Sequence, residues 1–86
     1  MAQIIKTTGE IKYTTPKNGT DFSAEELHEI VGGFFEIFRL SGAPGKILVV
    51  DEEGRLKNKP INELASIFYG RVIVGDVLMC DRNEVK

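Results

Sequence analysis

The residue types that do chemistry are sparse and scattered in this chain. His28 is the single histidine and Cys80 the single cysteine of the 86 residues. With no second imidazole or thiol at ligand spacing, neither residue starts a tetrahedral metal site. Proton transfer by His28 requires a positioned partner that the surrounding ELHEIV does not supply, so a surface role is expected. Cys80 closes an apolar run beside Asp81, whose charge opposes thiolate formation. It is expected to be a small buried hydrophobe rather than a nucleophile. The carboxylates at 51, 52 and 53 read as a solvated turn, because the ligand spacing of a calcium loop is missing. No G-x-G-x-x-G or P-loop pattern occurs. Gly32-Gly33 follows a helical stretch, whereas phosphate loops present amides at a helix amino terminus. These residues imply no catalytic site, no metal and no cofactor.

The sharper pattern is FFEIFRL at 34–40. As a strand, it places Phe34, Glu36, Phe38 and Leu40 on one face and Phe35, Ile37 and Arg39 on the other. If helices cover only the second face, Phe34 and Phe38 flank Glu36 on an open platform. Such a platform stacks on a base or receives a partner side chain, with Glu36 accepting from an amine or a guanidinium. Arg39 and Arg71 are forks for phosphate or carboxylate. Two readings compete with this one. In the first, the amino-terminal strands or a homodimer partner close the aromatic face. In the second, the two arginines sit in surface ion pairs.

The elements that must position these residues are legible. Ser23 and Glu26 form a capping box, and Phe22 and Leu27 stand where a hydrophobic staple closes. Leu27, Ile30 and Val31 make the apolar stripe of a helix that stops at Gly32-Gly33. Before it, 2–7 and 10–15 read as two strands around Gly9, followed by the turn PKNGT. After the aromatic strand, 41–45 breaks regular structure, and KILVVD at 46–51 reads as a central strand. Asp51 to Gly54 turns the chain, with Gly54 expected in the left-handed region. Pro60 suits the first turn of a second helix, whose stripe is Ile61, Leu64, Ala65 and Phe68 and whose stop is Gly70. A last strand over 71–80 contains a bulge or bend at Gly75-Asp76, and the tail 81–86 is expected to fray. The order β-β-α-β-β-α-β predicts a single α+β domain. Its sheet is mainly antiparallel, of about five strands, with both helices packed on one face.

Composition narrows the partners. Eleven basic and thirteen acidic residues give a net charge of −2 with the signs interspersed, which argues against generic nucleic-acid binding. No apolar stretch approaches a membrane span, and the amino terminus lacks the apolar run of a signal peptide. A lone cysteine excludes an intrachain disulfide, so a cytoplasmic setting is the expectation.

Several quoted segments together resemble a known family: ELHEIVGGFFEI at 26–37, VVDEEGRLKNKPINELA at 49–65 and VIVGDVLM at 72–79. The recognisable parts are the Gly32-Gly33 corner before Glu36, the Glu53-Gly54 turn, Pro60 with Asn62, and Gly75 before Asp76. In order and spacing they are similar to the family described as domain of unknown function 3846, over about the last two-thirds of the chain. That resemblance implies a setting among phages, plasmids and other mobile elements, and it implies no particular activity. In that setting the expectation is a non-enzymatic binding module that engages a host protein, with an enzyme the least favoured class. Sheet edges and apolar residues that so short a chain can hardly hide add the expectation of a homo-oligomer, most simply a homodimer. The alternative is a domain that sequesters a nucleotide-like signal, with Phe34, Glu36 and Phe38 around the base and Arg39 or Arg71 near phosphate.

Overall fold

Residues 47–50 of the apolar run are buried without exception, and the rest of the fold is arranged to cover them on both sides. The computed structural model describes residues 2–40 and 42–85. Its strands are β1 (Ala2–Ile5), β2 (Ile11–Thr14), β3 (Phe35–Arg39), β4 (Lys46–Asp51) and β5 (Val77–Asp81). Its helices are α1 (Ala24–Val31), between β2 and β3, and α2 (Glu63–Tyr69), between β4 and β5. The five strands form one sheet in the order β2-β1-β5-β4-β3, and every neighbouring pair is antiparallel. The element order, strand number and antiparallel sheet are those expected from the sequence.

The placement of the helices differs. Ile47 and Val49 of β4 join Leu78 and Cys80 of β5 in a core closed by Phe22 and by Leu27 and Val31 of α1. Leu48 and Val50 point the other way and join Ile5, Val77 and Ile73 in a second core closed by Ala65 of α2. The helices therefore lie on opposite faces of the sheet, not together on one. The reason is in β4. A strand that is apolar at every position has two faces to remove from water, at roughly 25 cal/mol per Å² of apolar surface, and one layer of helix covers only one of them.

Local chemistry sets the ends of α1. Ser23 Oγ accepts from the Glu26 amide at 3.2 Å, and Glu26 Oε1 accepts from the Ser23 amide at 3.0 Å. The Ser23 and Lys17 amides hold the Glu26 carboxyl below its usual range. Gly32 ends the helix at φ 84, in the left-handed region open to a residue without Cβ. For α2 the expected stripe shifts. Asn62 is the amino-terminal cap, Ile61 and Phe68 are exposed, and Ala65, Leu64 and Tyr69 turn inward.

The last strand is shorter than expected, because Gly75 at φ 79 bends the chain and its amide donates to the Pro60 carbonyl at 2.8 Å. A Cβ at Gly75 would meet Lys59 Cδ at 2.8 Å. Gly54 is not left-handed; its amide donates to the Asp51 carbonyl at 3.1 Å. The tail is tied down through residue 85. Phe22 donates its amide to the Glu84 carbonyl at 2.6 Å, and Val85 forms a parallel bridge with Phe22. Lys86, at the end of the expected frayed tail, and Ser41, in the expected break at 41–45, lie outside the described residues.

Candidate functional site

The residues predicted to form one platform are distributed over three places. Strand β3 begins at Phe35, and the bend at Gly33 and Phe34 takes the Phe34 ring out of the alternation. That ring is 69% exposed and meets the exposed His28 of α1 edge-on, with centroids 5.6 Å apart and planes at 78°. Phe38 faces α2 instead. It packs against the second core and stacks on Tyr69, with centroids 4.8 Å apart and planes at 11°. Glu36 shares the α2 face with Phe38, whereas Arg39 pairs in register with Ile47 and stands on the α1 face. Arg71 follows the end of α2, exposed, and lines no cleft with the others. The open aromatic platform is therefore not formed, because α2 covers the face it was to occupy.

A cleft does remain on the α2 face, beside the carboxyl-terminal part of β4. It has a volume of about 280 Å³. Phe38, Val50, Ile73 and Val74 supply apolar walls, while Glu36, Glu52 and Arg55 supply charge. Leu56 and Val72 at its mouth are 82% and 52% exposed, a combination that costs free energy unless something covers them. Among the described residues, Glu36 and Glu52 have no ion-pair partner in the chain. Arg55 Nη2 reaches the Val72 carbonyl at 3.4 Å and ties the two walls together.

Beneath this cleft lies a charged network that braces it. The Asp51 side chain is fully buried at the end of β4, and its Oδ2 accepts from Lys59 Nζ at 2.7 Å and Lys57 Nζ at 2.9 Å. Oδ1 accepts from the Glu53 amide at 2.8 Å. Burial pushes the Asp51 carboxyl up, but the Lys59 and Lys57 ammonium groups and the Glu53 amide outweigh it and leave the pKa at about 2. Both lysines also reach the end of α1. Lys59 Nζ donates to the Val31 carbonyl at 2.7 Å and Lys57 Nζ to the Gly32 carbonyl at 3.3 Å. Cations at the carboxyl end of a helix satisfy orphan carbonyls and oppose the negative pole of the dipole. One buried carboxylate thus joins β4, the 52–60 loop and α1.

The family model described as Domain of unknown function (DUF3846) matches residues 4–86. The chain belongs to this family. The match takes in most of the amino-terminal hairpin, from residue 4, as well as the segments that carried the resemblance. No curated protein and no solved structure matches the DUF3846 chain.

Sequence reasoning missed the cleft of the DUF3846 domain because its walls come from three separated stretches, around 36–38, 50–56 and 72–74. A signal for Asp51 was available: a carboxylate that ends an uninterrupted apolar run sits at the same depth as that run. Asn62 was visible only as part of a motif. It is fully buried, and its Nδ2 donates to the Ile5 carbonyl at 2.8 Å and the Gly75 carbonyl at 2.9 Å. Its Oδ1 caps α2 by accepting from the Ala65 amide at 3.1 Å. Burial pushes the Cys80 thiol up to about 12, so it stays protonated at neutral pH. Among the described residues, no three His, Cys, Asp or Glu side chains gather at metal-binding distance, and no helix is long and apolar enough to cross a membrane.

Because Phe38 is part of the α2 packing, Phe38→Ala is expected to cost stability as well as cleft shape. Full burial of a Phe makes this substitution worth about 3–5 kcal/mol, and a half-buried ring about half that. Urea denaturation should show a lower midpoint at unchanged slope. An unchanged midpoint would show that the Tyr69 stack does not hold the second core.

Proposed function

We propose that this DUF3846 domain is a non-enzymatic binding module that takes a protein partner in the α2-face cleft. The observation that carries the reading is the cleft itself, with apolar walls, exposed Leu56 and Val72 at the mouth, and the carboxylates of Glu36 and Glu52 left without partners. An apolar segment bearing a lysine or arginine complements it. The apolar part removes Leu56 and Val72 from water, and the cation pairs with the two carboxylates. The phage or mobile-element setting implied by the family resemblance makes a host protein in the cytoplasm the natural partner, with the domain acting as a homo-oligomer. The nucleotide-sequestering alternative has less support. It needs Arg39 or Arg71 beside Phe38 and Glu36, and those arginines stand elsewhere.

Leu56→Asp and Glu36→Lys test the reading, because both positions are exposed and their substitution leaves the cores intact. The wild-type domain should retain a discrete host protein that both variants lose, in a salt-sensitive manner. A panel of linear and cyclic nucleotides should leave its melting temperature unchanged. Stabilisation by a nucleotide, with Leu56→Asp binding it equally well, would replace this reading with sequestration.

A further inference from the structure

Strand β3 is an outer strand of the sheet, and its hydrogen-bond parity is set at both ends. The Glu52 amide donates to the Phe34 carbonyl at 2.9 Å, and the Leu40 amide donates to the Lys46 carbonyl at 3.3 Å. In an antiparallel ladder, bonded residues alternate, so 34, 36, 38 and 40 direct their backbone groups to β4. Phe35, Ile37 and Arg39 direct theirs outward. This leaves three consecutive outward amide–carbonyl pairs along a five-residue strand.

We infer that this edge pairs antiparallel with the same edge of a second copy of the chain, about a two-fold axis through Ile37. That register matches outward groups with outward groups and uses all three residues. Ile37 meets Ile37, and Phe35 meets Arg39 of the second copy. Axes through Glu36 or Phe38 leave one of the three outward residues without a partner inside the strand.

The side chains agree with the backbone. On the α1 face Ile37 is 42% exposed, and across the axis it covers its own copy. Arg39 of the second copy stands opposite Phe35, at a cleft that Phe35 lines together with Phe34, Glu25 and Glu52. Among the described residues, neither these two glutamates nor Arg39 has an ion-pair partner within the chain. A guanidinium there meets two carboxylates and the face of an exposed ring, and the two-fold axis repeats the contact. On the α2 face, Glu36 lies opposite Phe38 of the second copy, so no like charges meet. The other sheet edge lacks this fit. The Lys6 amide bonds to the Glu10 carbonyl, so Ile11 and Tyr13 of β2 point outward, and the pairing that uses both sets Lys12 against Lys12.

The inference rests on the homo-oligomeric part of the reading above. It meets the α2-face cleft at Glu52, which borders both clefts, and at Glu36 and Phe38, which face each other across the axis. Because the axis is perpendicular to the sheet, it brings the two α2-face clefts to the same side of one continuous sheet.

Sedimentation equilibrium of the full chain tests it. The wild type should have twice the 9.6 kDa chain mass. Arg39→Glu alone should weaken self-association by at least roughly tenfold, because a glutamate then faces two others. The Glu25→Lys, Glu52→Lys double variant should do the same, because Arg39 then faces lysines. An equal mixture of the two variants should restore a dimer of one chain of each. In that pair the carboxylate introduced at position 39 meets the two introduced lysines. The unaltered Arg39 of the other chain meets the unaltered Glu25 and Glu52.

Register is tested separately. Opposed residues of a bonded pair have Cα atoms about 5.5 Å apart, within disulfide reach, so Ile37→Cys should cross-link to itself under mild oxidation and Phe38→Cys should not. A monomeric wild type would overturn both the pairing and the homo-oligomeric reading. A dimer indifferent to Arg39→Glu, with Ile37→Cys uncross-linked, would overturn the pairing alone.

Discussion

Asn62→Asp is expected to destabilise this domain at neutral pH more than Phe38→Ala or Asp51→Ala does. The substitution keeps the cap oxygen but replaces the Nδ2 donor, so the Ile5 and Gly75 carbonyls, at 2.8 and 2.9 Å, face a carboxylate oxygen. Losing the Nδ2 bond to the Gly75 carbonyl costs about 1–3 kcal/mol, the Ile5 carbonyl keeps only its ladder bond to β5, and the buried charge adds to both. A loss of about 4 kcal/mol or more is the result. A domain of this size has roughly 4–13 kcal/mol in total, so a melting temperature lower by on the order of 20 °C is the outcome to expect.

The pH dependence identifies the cause. The new carboxyl is fully buried and faces two carbonyl oxygens, which disfavours its charged form, so its folded-state pKa lies above the unfolded value. Its penalty is then absent at acid pH and appears as pH rises through the unfolded value, about 3.9, and beyond. Asn62→Leu should lose the same two donors with no such pH slope. If Asn62→Asp melts within a few degrees of the wild type, the buried amide is not what joins β1 to the Gly75 bend.

Asp51 gives the opposite slope. Its folded pKa, about 2, lies below the ordinary 3.8. The stabilisation from its charge is therefore complete above the unfolded value and is lost as pH falls from about 4 through 2. At about 1.4 kcal/mol per unit, this is roughly 2.5 kcal/mol. Asp51→Asn should flatten the stability curve in that window, as read by urea titrations across it. At neutral pH, Asp51→Ala should cost about 2–3 kcal/mol. That is less than a fully buried pair, because the lysine side chains are 38% and 23% exposed and regain water. Hydrogen exchange should accelerate at the end of α1, where Lys57 and Lys59 bond the last carbonyls. Identical acid unfolding of wild type and Asp51→Asn would remove the network from the account of stability.

These two residues also mark how far a reading of the sequence reaches. The capping box at Ser23 and Glu26, the stop at Gly32, the central strand 46–51 and the element order all follow from interactions between residues close in the chain. Short-range spacing alone is enough to state them. Asn62, by contrast, bonds to Ile5 and Gly75, and Asp51 and its lysines reach back to Val31 and Gly32. Nothing in the local pattern at 51 or 62 encodes those distances.

The candidate site shows the same division. Alternation in 34–40 correctly put Glu36, Phe38 and Leu40 on one face and Ile37 and Arg39 on the other. Which helix lies over which face is a property of the whole chain, and it decided that Phe38 stacks on Tyr69 while Phe34 turns to His28. By itself the sequence determined the elements, their order and a chain without an obvious catalytic cluster. Only the tertiary structure decided the two-sided cover of the sheet, the cleft and the outward parity of β3. Those depend on residues far apart in sequence competing for the same buried space, and burial is settled by the three-dimensional packing of all of them at once.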